Sequence, residues 1–429
     1  MCARAGTRRR GECPWIRNLI STLLFPLLSV GCGGDSADPV SSQVPLARID
    51  TVEGVLRQTW PESPFDELPW TLDTVLVLGG FVNEGTGIAF DEVGNGGIAG
   101  DATGRLYLLD GAGKRILAFD PSGSPSGIRG REGGGPGEFN TPSGLGLGPA
   151  DTLWVVDRGN RRITLFPPEP DSEPDEIALS DASSGLAGKL AVEGDGVVGV
   201  AMVFSFQPGE EVVAPPRTLL RIRRDGTIAD TLWSAPPPPF DRIELTAGNQ
   251  LAVMLVQRSF SPGFYWERFS DGSFAVAQEA DYEIRILNSD GTERLRIRRE
   301  PAARETTEAD RERAREDARE QAEESSSPFV RQSIDERIEK MTFAERIPRI
   351  TGLAIDGSDR LWVGVAGQRP GETMRIDVYA ADGAPVGEIR EGALLPTHFF
   401  GDSRAALLDR DELDVQRVVL LELRELPEG

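Results

Sequence analysis

The residue types that carry much of enzyme chemistry are scarce in this chain of 429 residues, which contains one histidine and three cysteines. Zinc and iron sites draw their ligands mainly from several histidines or cysteines. Because His398 is the only histidine and the last cysteine is Cys32, a multi-histidine or thiolate metal centre is excluded. His398 is expected to be a partly buried histidine with one hydrogen bond. A general base in a channel is the alternative.

Three other segments resemble known ligand loops only in part. Residues 94–99 match a dinucleotide-binding glycine pattern, but they lead into strands rather than into a helix. Gly188-Lys189 lacks the remaining residues of a phosphate loop. The acidic run 409–414 offers oxygen ligands to Ca²⁺, although it lacks the glycine and the spacing of a known calcium loop. We therefore predict no cofactor, with Ca²⁺ as the alternative.

The composition indicates many tight turns and an acidic surface. The chain has 49 glycines and 31 prolines, together well above the roughly 12% of average usage. Acidic residues outnumber basic ones by 69 to 46, which gives a net charge of −23. An excess of this size disfavours nucleic acid as a partner, because phosphates need a basic surface. The length fits two or three domains or one large repeat fold.

The first 31 residues have the organisation of a signal peptide. Five arginines precede an apolar run at 19–30, which is too short to span a bilayer. Gly31 and Cys32 follow, and the arrangement resembles a bacterial lipoprotein signal. Residues 1–31 are therefore predicted to be removed and Cys32 to be lipidated. A plain secretory signal, with Cys32 as a free thiol, is the alternative.

This prediction places the protein in the cell envelope, anchored to a membrane at a periplasmic or extracellular face. Removal of residues 1–31 takes away five arginines and one glutamate and leaves a net charge of −27. A single cysteine would remain, so no internal disulfide is expected. Residues 32–72 are assigned to a tether and N-terminal segment.

A repeat with a 47-residue offset runs through the rest of the chain. The apolar strands at 106–110 and 153–157 are each followed, at the same distance, by a basic pair and a second strand. A third copy begins at Leu361. Weaker copies begin at Val197, Phe274 and Ala405. Each unit is a small antiparallel sheet with two faces to bury, and radial packing of such sheets is typical of a β-propeller.

The spacing predicts an all-β, six-bladed β-propeller over residues 73–425. The last unit lacks an outer strand, which residues 74–78 are expected to supply, so that the ring closes without an exposed edge. The apolar run at 251–256 is too close to the unit at Phe274 to be a blade, and it is interpreted as an insertion.

A second insertion, helical in character, occupies residues 303–345. Thr307 and Asp310 resemble a capping box, and Ile334, Ile338 and Met341 form an apolar stripe that would dock the second of two helices. We expect this helical hairpin between blades 4 and 5, counted from the unit at residue 106.

Residues 130–166 resemble an NHL repeat. The resemblance rests on Gly133-Gly134-Gly135-Pro136-Gly137-Glu138-Phe139, on Pro142-Ser143-Gly144 and on the segment from Leu153 to Ile163. With its flanks, the chain is similar to bacterial six-bladed β-propeller lipoproteins. The resemblance implies an interaction role, since NHL propellers commonly bind proteins, peptides or other polymers. Some similar rings are enzymes, including lactonases, strictosidine-synthase-like proteins and lyases.

The residues of the motif have a structural explanation that needs no ligand. Asp157 is expected to accept backbone N–H groups, Gly159 and Asn160 to tolerate left-handed backbone, and Arg161 to pair with a carboxylate of a neighbouring blade. Trp154 and Trp362 are expected to pack between blades. The candidate binding or channel residues are Trp154, Asp157, Arg158, Asn160, Arg161, Trp362 and His398.

Two functions from different classes follow. The first is a non-enzymatic binding module that is tethered to the membrane. It is expected to be a monomer with a protein or polymer partner, and its binding face is expected to be the channel mouth, covered by the helical insertion. The alternative is a lactonase- or lyase-like enzyme with a carboxylate-bound metal in the channel. Several inward carboxylates around one point would favour the enzyme, because a hard cation takes six or more oxygens.

Overall fold

The part of the chain from residue 46 onward forms a ring of β-sheets in the computed structural model. Cys32 and part of the acidic run 409–414 lie outside the described residues. These are 46–80, 90–169, 171–203, 214–247, 250–324, 327–367, 372–390, 394–411 and 415–425.

Twenty-eight strands and two α-helices occur in the described residues. The first half comprises β1 (Arg48–Val52), β2 (Val55–Trp60), β3 (Trp70–Gly79), β4 (Val93–Gly100), β5 (Leu106–Asp110), β6 (Arg115–Phe119), β7 (Pro125–Arg129), β8 (Pro142–Leu147), β9 (Leu153–Asp157), β10 (Arg162–Phe166), β11 (Asp175–Ala178), β12 (Leu186–Glu193), β13 (Gly196–Ala201), β14 (Arg217–Ile222) and β15 (Ile228–Ala235). The second half comprises β16 (Phe240–Ala247), β17 (Gln250–Gln257), β18 (Tyr265–Arg268), β19 (Phe274–Ala277), β20 (Glu283–Leu287), β21 (Glu293–Arg299), α1 (Glu308–Glu324), α2 (Pro328–Glu339), β22 (Ile350–Ile355), β23 (Leu361–Ala366), β24 (Thr373–Tyr379), β25 (Pro385–Ile389), β26 (His398–Phe400), β27 (Arg404–Arg410) and β28 (Gln416–Glu425).

Six sheets form the blades of the propeller. We number them in ring order, starting from the sheet that contains β3. Blade 1 holds β26, β27, β28 and β3; blade 2 holds β4 to β7; blade 3 holds β8 to β11; and blade 4 holds β12 to β15. Blade 5 holds β18 to β21, with β2 and β1 added at its outer edge, and blade 6 holds β22 to β25. The prediction of an all-β, six-bladed propeller is confirmed.

Blade 1 closes the ring because it pairs β3 with the C-terminal strand β28. Strand β3 lies antiparallel to β28, with Leu76 opposite Leu420 and Leu78 opposite Val418. The expectation that residues 74–78 complete the last blade is confirmed. Closure leaves no unpaired edge between the first and last units, because backbone groups of both strands are satisfied there.

The helical insertion requires one correction. With the blade that contains β3 counted as blade 1, α1 and α2 lie between blades 5 and 6, and the expected position between blades 4 and 5 is wrong. The sequence pattern counts complete repeat units from residue 106, whereas the ring also contains the blade in which β3 pairs with the C-terminal strand β28. Of the helices that the structure describes, none is long and apolar enough to cross a membrane.

The two insertions pack against each other. Hairpin β16–β17 is a separate two-stranded sheet, as expected for an insertion rather than a blade. Glu336 of α2 accepts a hydrogen bond from the backbone N–H of Thr246 at 2.6 Å, and Lys340 donates to the carbonyl of Glu244. Ile338 of the predicted docking stripe is buried.

The start of α1 confirms the capping prediction. The Thr307 N–H donates to the Asp310 carboxylate at 2.9 Å, and the Asp310 N–H donates back to the Thr307 hydroxyl at 3.3 Å. Arg304 adds two hydrogen bonds, at 2.6 and 2.8 Å. The Arg304 guanidinium is the main reason that the pKa of Asp310 lies well below its usual range. These bonds stabilise an otherwise polar helix at its N-terminus.

The seam between blades 5 and 6 contains a buried ionic cluster. Arg299 of β21 has a fully buried side chain and contacts Asp377 of β24 at 2.6 Å and Glu388 of β25 at 3.1 Å. Its guanidinium also lies 3.9 Å from the ring centroid of Phe65. Arg375 donates to the same Asp377 at 2.8 Å. Two carboxylates thus neutralise Arg299 in a site without water access.

Candidate functional site

A central channel is lined by the first strand of each blade: β26, β4, β8, β12, β18 and β22. Two cavities occupy it. The smaller, about 470 Å³, lies where these strands end. The larger, about 810 Å³, lies where they begin. Both are lined by Asn95, Lys189, Glu267 and Thr397, so these four residues mark the level at which the cavities meet.

Glycine backbones narrow the channel at this level. A Cβ atom on Gly96 would lie 2.2 Å from the backbone nitrogen of Lys189, and one on Gly144 would lie 1.8 Å from the carbonyl oxygen of Gly188. Register shifts in β4 and β12 bring these segments inward. Residues 94–99 are therefore part of the inner strand β4, as expected, and their glycines permit close backbone packing rather than dinucleotide binding.

An ion pair crosses the channel at the level where the two cavities meet. Lys189 of β12 donates a short hydrogen bond to Glu267 of β18. Burial raises the pKa of Glu267, against the opposing effect of the Lys189 charge. His398 of β26 lines the smaller cavity, and burial, assisted by Lys189, lowers its pKa to about 3. At neutral pH the imidazole is therefore uncharged.

The smaller cavity offers little free chemistry. Its Asp356 accepts hydrogen bonds from Trp362 Nε1 at 2.8 Å and from Arg360 at 2.6 Å. Its Asp359 accepts from the backbone of Ser270 at 2.8 Å. No group of three or more His, Cys, Asp or Glu side chains is placed to hold a metal ion in the part of the chain that the structure describes.

The larger cavity combines apolar walls with a similar share of polar and charged groups. Phe264 and Trp266 line one side together with Tyr265, whose pKa is raised by burial. Leucines contribute much of the remaining wall: Leu353, Leu394, Leu395, Leu407 and Leu408. Arg217 also lines the cavity. Concave, mostly apolar sites with a few placed polar groups are typical of ligand-binding pockets.

The predicted motif residues take structural positions away from both cavities. Asp157 is fully buried and accepts the N–H groups of Asn140 and Thr141 at 2.9 and 2.8 Å. Asn160 donates its side-chain amide to Asp157 at 2.7 Å. The backbone bonds expected of Asp157 are confirmed, and its contribution to binding stays a prediction.

The left-handed backbone of this turn falls one residue later than expected. Arg161 itself has φ 54°, and Lys114, 47 residues earlier, has φ 52°. The repeat therefore places the strained conformation at its first basic residue, not at Gly159 or Asn160. Arg161 pairs with Asp181 in the segment leading to blade 4, as expected. Arg158 is exposed.

The two tryptophans lie between blades. Trp362 is completely buried and packs 5.0 Å from Phe399 of blade 1, measured between ring centroids. Trp154 is also buried, and the Arg224 guanidinium lies 5.8 Å from its ring. Of the seven predicted site residues, His398 lines the smaller channel cavity.

Sequence reasoning missed the groups that line the channel centre and the larger cavity, namely Lys189, Glu267 and Arg217. A signal existed for Lys189, which is one of three lysines in the chain and follows a glycine. Glu267 and Arg217 belong to weak repeats without a recognisable motif. Of the residues described, none in the helical insertion lines either cavity, and the prediction that the insertion covers the channel mouth is not confirmed.

Comparison with known proteins identifies one matching segment. No family model matches the chain. A stretch of 100 residues, 22% of this chain and 28% of the relative, is 35% identical to NHL repeat-containing protein 3 of Mus musculus. The human protein of the same name is 34% identical over the same shares. The chain thus matches less than a third of the length of these curated relatives.

Several solved structures are similar at low sequence identity. A member of the DUF4221 family from Bacteroides vulgatus is 8% identical with a TM-score of 0.46, covering 83% of this chain and 99% of that one. Virginiamycin B lyase from Staphylococcus aureus is 9% identical with a TM-score of 0.40, covering 82% and 99%. A gluconolactonase from Xanthomonas campestris is 14% identical with a TM-score of 0.35, covering 90% and 99%.

The blade topology and the repeat together define the class. The chain is an NHL-repeat-like six-bladed β-propeller.

Proposed function

We propose that the protein is a non-enzymatic binding module of the cell envelope, and that its ligand enters the larger channel cavity. The observation that supports this is the cavity itself, about 810 Å³ with aromatic and leucine walls. Rigid rings of this kind present binding groups on loops and strand ends. The partner is a protein or polymer segment, or a small molecule, with an apolar part.

Capture from solubilised envelopes tests the binding role. The variant Leu394→Arg places a charge at a half-exposed position of the cavity wall. Ile128→Arg, at an exposed apolar position on β7 outside both cavities, is the matched control. We expect a partner that is retained by the wild type and by Ile128→Arg but lost by Leu394→Arg. Equal capture by all three proteins would contradict the assignment of the cavity.

We further propose a lipid anchor on Cys32. The support is the signal-like N-terminus, with its arginines, apolar run and following cysteine. Labelling with a palmitate analogue is expected to modify the wild type and a Cys13→Ser variant but not Cys32→Ser. Cys13 is a control because it lies within the segment predicted to be removed. Labelling that persists in Cys32→Ser would exclude the anchor.

One observation favours a catalytic alternative. Glu267 is buried in the channel beside Lys189 with a raised pKa, and perturbed carboxyl groups in clefts are candidates for acid–base catalysis. A lactonase and lyase screen with and without Ca²⁺ tests it. Metal-dependent turnover that is lost in Glu267→Gln would replace the binding proposal with an enzymatic one.

A further inference from the structure

Building on the proposed function, we infer that the larger cavity binds amphipathic carboxylic acids, with the carboxylate on Arg217 and the apolar part against the aromatic and leucine walls.

Arg217 is a cation without a counter-ion in the described structure. It begins β14 and lines the cavity, where its guanidinium lies 5.5 Å from the ring centroid of Phe264. Its hydrogen bonds are two contacts of 3.5 Å to the carbonyl of Pro262. Its Nε atom is buried and has no acceptor among the described residues. Burial lowers the pKa of Arg217, which is the direction expected for a partly desolvated cation.

The acidic groups of the cavity are not placed to neutralise Arg217. Glu267 is paired with Lys189 at the floor. Glu372 is exposed, and no ion pair joins it to Arg217. The neighbouring Arg268, by contrast, binds Glu193 at 2.7 Å. An unpaired, partly desolvated cation costs free energy that an anionic ligand recovers.

A carboxylate is the anion that one arginine suits best. The planar guanidinium offers parallel donors that match the two oxygens of a carboxylate. The surface around the channel belongs to a strongly acidic protein with a net charge of −23, so a cationic site in the cavity is electrostatically distinct from its surroundings. Phe264, Trp266 and the leucines give the ligand an apolar surface. The volume lies within the roughly 300–1,000 Å³ of typical ligand pockets.

Isothermal titration calorimetry with matched probes tests this inference. The full chain carrying Cys32→Ser, which removes the proposed lipid, is titrated with 4-phenylbutyrate and with 4-phenylbutanol, which differ in the charged group. We expect the acid to bind at least about tenfold more tightly than the alcohol, because the Arg217 guanidinium forms charge-assisted hydrogen bonds with a carboxylate.

Three variants separate a binding role from a structural one. Arg217→Met is expected to abolish the preference for the acid while leaving alcohol binding in place, and Arg217→Lys to retain part of the preference. Arg48→Met, which removes an exposed arginine of β1 outside both cavities, is expected to change nothing. A structural role alone would lower the melting temperature of Arg217→Met without changing the ratio of acid to alcohol affinity.

The outcomes distinguish the two proposals. Equal affinity for acid and alcohol, or an unchanged preference in Arg217→Met, overturns the ligand class. If 4-phenylbutyrate fails to bind at millimolar concentration while envelope capture remains sensitive to Leu394→Arg, the ligand class is wrong and the binding function stands. If neither capture nor probe binding depends on the cavity, both proposals fail.

Discussion

Two arginines of this propeller, the buried Arg299 and the partly exposed Arg217, lie beside aromatic rings but differ in charge balance. Arg299, in the seam between blades 5 and 6, lies 3.9 Å from the ring centroid of Phe65, and Arg217, in the larger cavity, lies 5.5 Å from that of Phe264. Both have an Nε atom without an acceptor among the described residues. Arg299 contacts two carboxylates, whereas no described carboxylate pairs with Arg217. The difference separates a structural cation from one available to a ligand.

The largest effect is expected from Arg299→Met. The substitution leaves Asp377 and Glu388 buried without their main cation, and breaking a buried pair in this way costs about 3–5 kcal/mol. Urea unfolding measures the free-energy change. Arg390→Met, which removes a half-exposed partner of Glu388, is the control and is expected to cost less than about 1 kcal/mol. Similar costs for both variants would remove the distinction on which the comparison depends.

A smaller effect is expected from Glu388→Gln, which halves the negative charge around Arg299. Burial opposes the charge of Glu388, but hydrogen bonds from Arg390, Arg299 and the Phe65 N–H hold its pKa below the usual range. We expect a loss of about 1.5–3 kcal/mol at pH 7. Because a lowered carboxyl pKa contributes stability that is lost as pH falls below the ordinary value, the gap to the wild type should narrow on acidification. A constant gap between pH 7 and pH 3 would contradict this assignment.

The channel centre has its own titratable group in His398. Its pKa of about 3 in the folded protein lies below the ordinary value near 6.5, so the unfolded chain binds a proton that the folded chain does not. The contribution of neutral His398 to the free energy of unfolding is therefore complete above about pH 6.5, and it falls by about 1.4 kcal/mol per pH unit below that value. Since the chain has one histidine, His398→Gln should flatten unfolding free energies measured from pH 7 to pH 5.5. An unchanged slope would show that His398 is not desolvated.

The smallest effect on stability is expected from Arg217→Met. The variant loses a cation–π contact worth about 0.5–1 kcal/mol but also removes a poorly compensated charge. Its unfolding free energy should stay within about 1 kcal/mol of the wild type, in contrast with Arg299→Met. A loss as large as that of Arg299→Met would mean that Arg217 is a structural residue with a partner in the folded protein.

The fold was largely predictable because its repeats are local. The 47-residue offset places Lys114 and Arg161 in the same left-handed turn, and the apolar strand at 74–78 finds its place beside β28. The position of the helices relative to the numbered blades was wrong, since the pattern of repeats begins after the strand that closes the ring. The docking of β2 in parallel with β21 has no local signal, because it depends on which blade edge is free.

The channel site was much less predictable. His398 was found because it is unique, but the seven predicted residues include five from β9 and the turn that follows it. Lys189, Glu267 and Arg217 come from blades 4 and 5, whose repeats are weak. The ion pair of Lys189 with Glu267 joins strands of two different blades. Sequence spacing within one blade carries no information about distances between blades.

The amino-acid sequence by itself determined the number of blades, the turn chemistry and the helical insertion, because each follows from short-range periodicity, capping and glycine placement. Tertiary structure decided which charges are neutralised. Arg299 meets carboxylates from another blade, whereas the carboxylates that line the cavity of Arg217 form no ion pair with it, although nothing in their neighbouring residues distinguishes the two arginines. Charge compensation depends on through-space distance, and in a propeller that distance is set by the radial packing of sheets far apart in the chain.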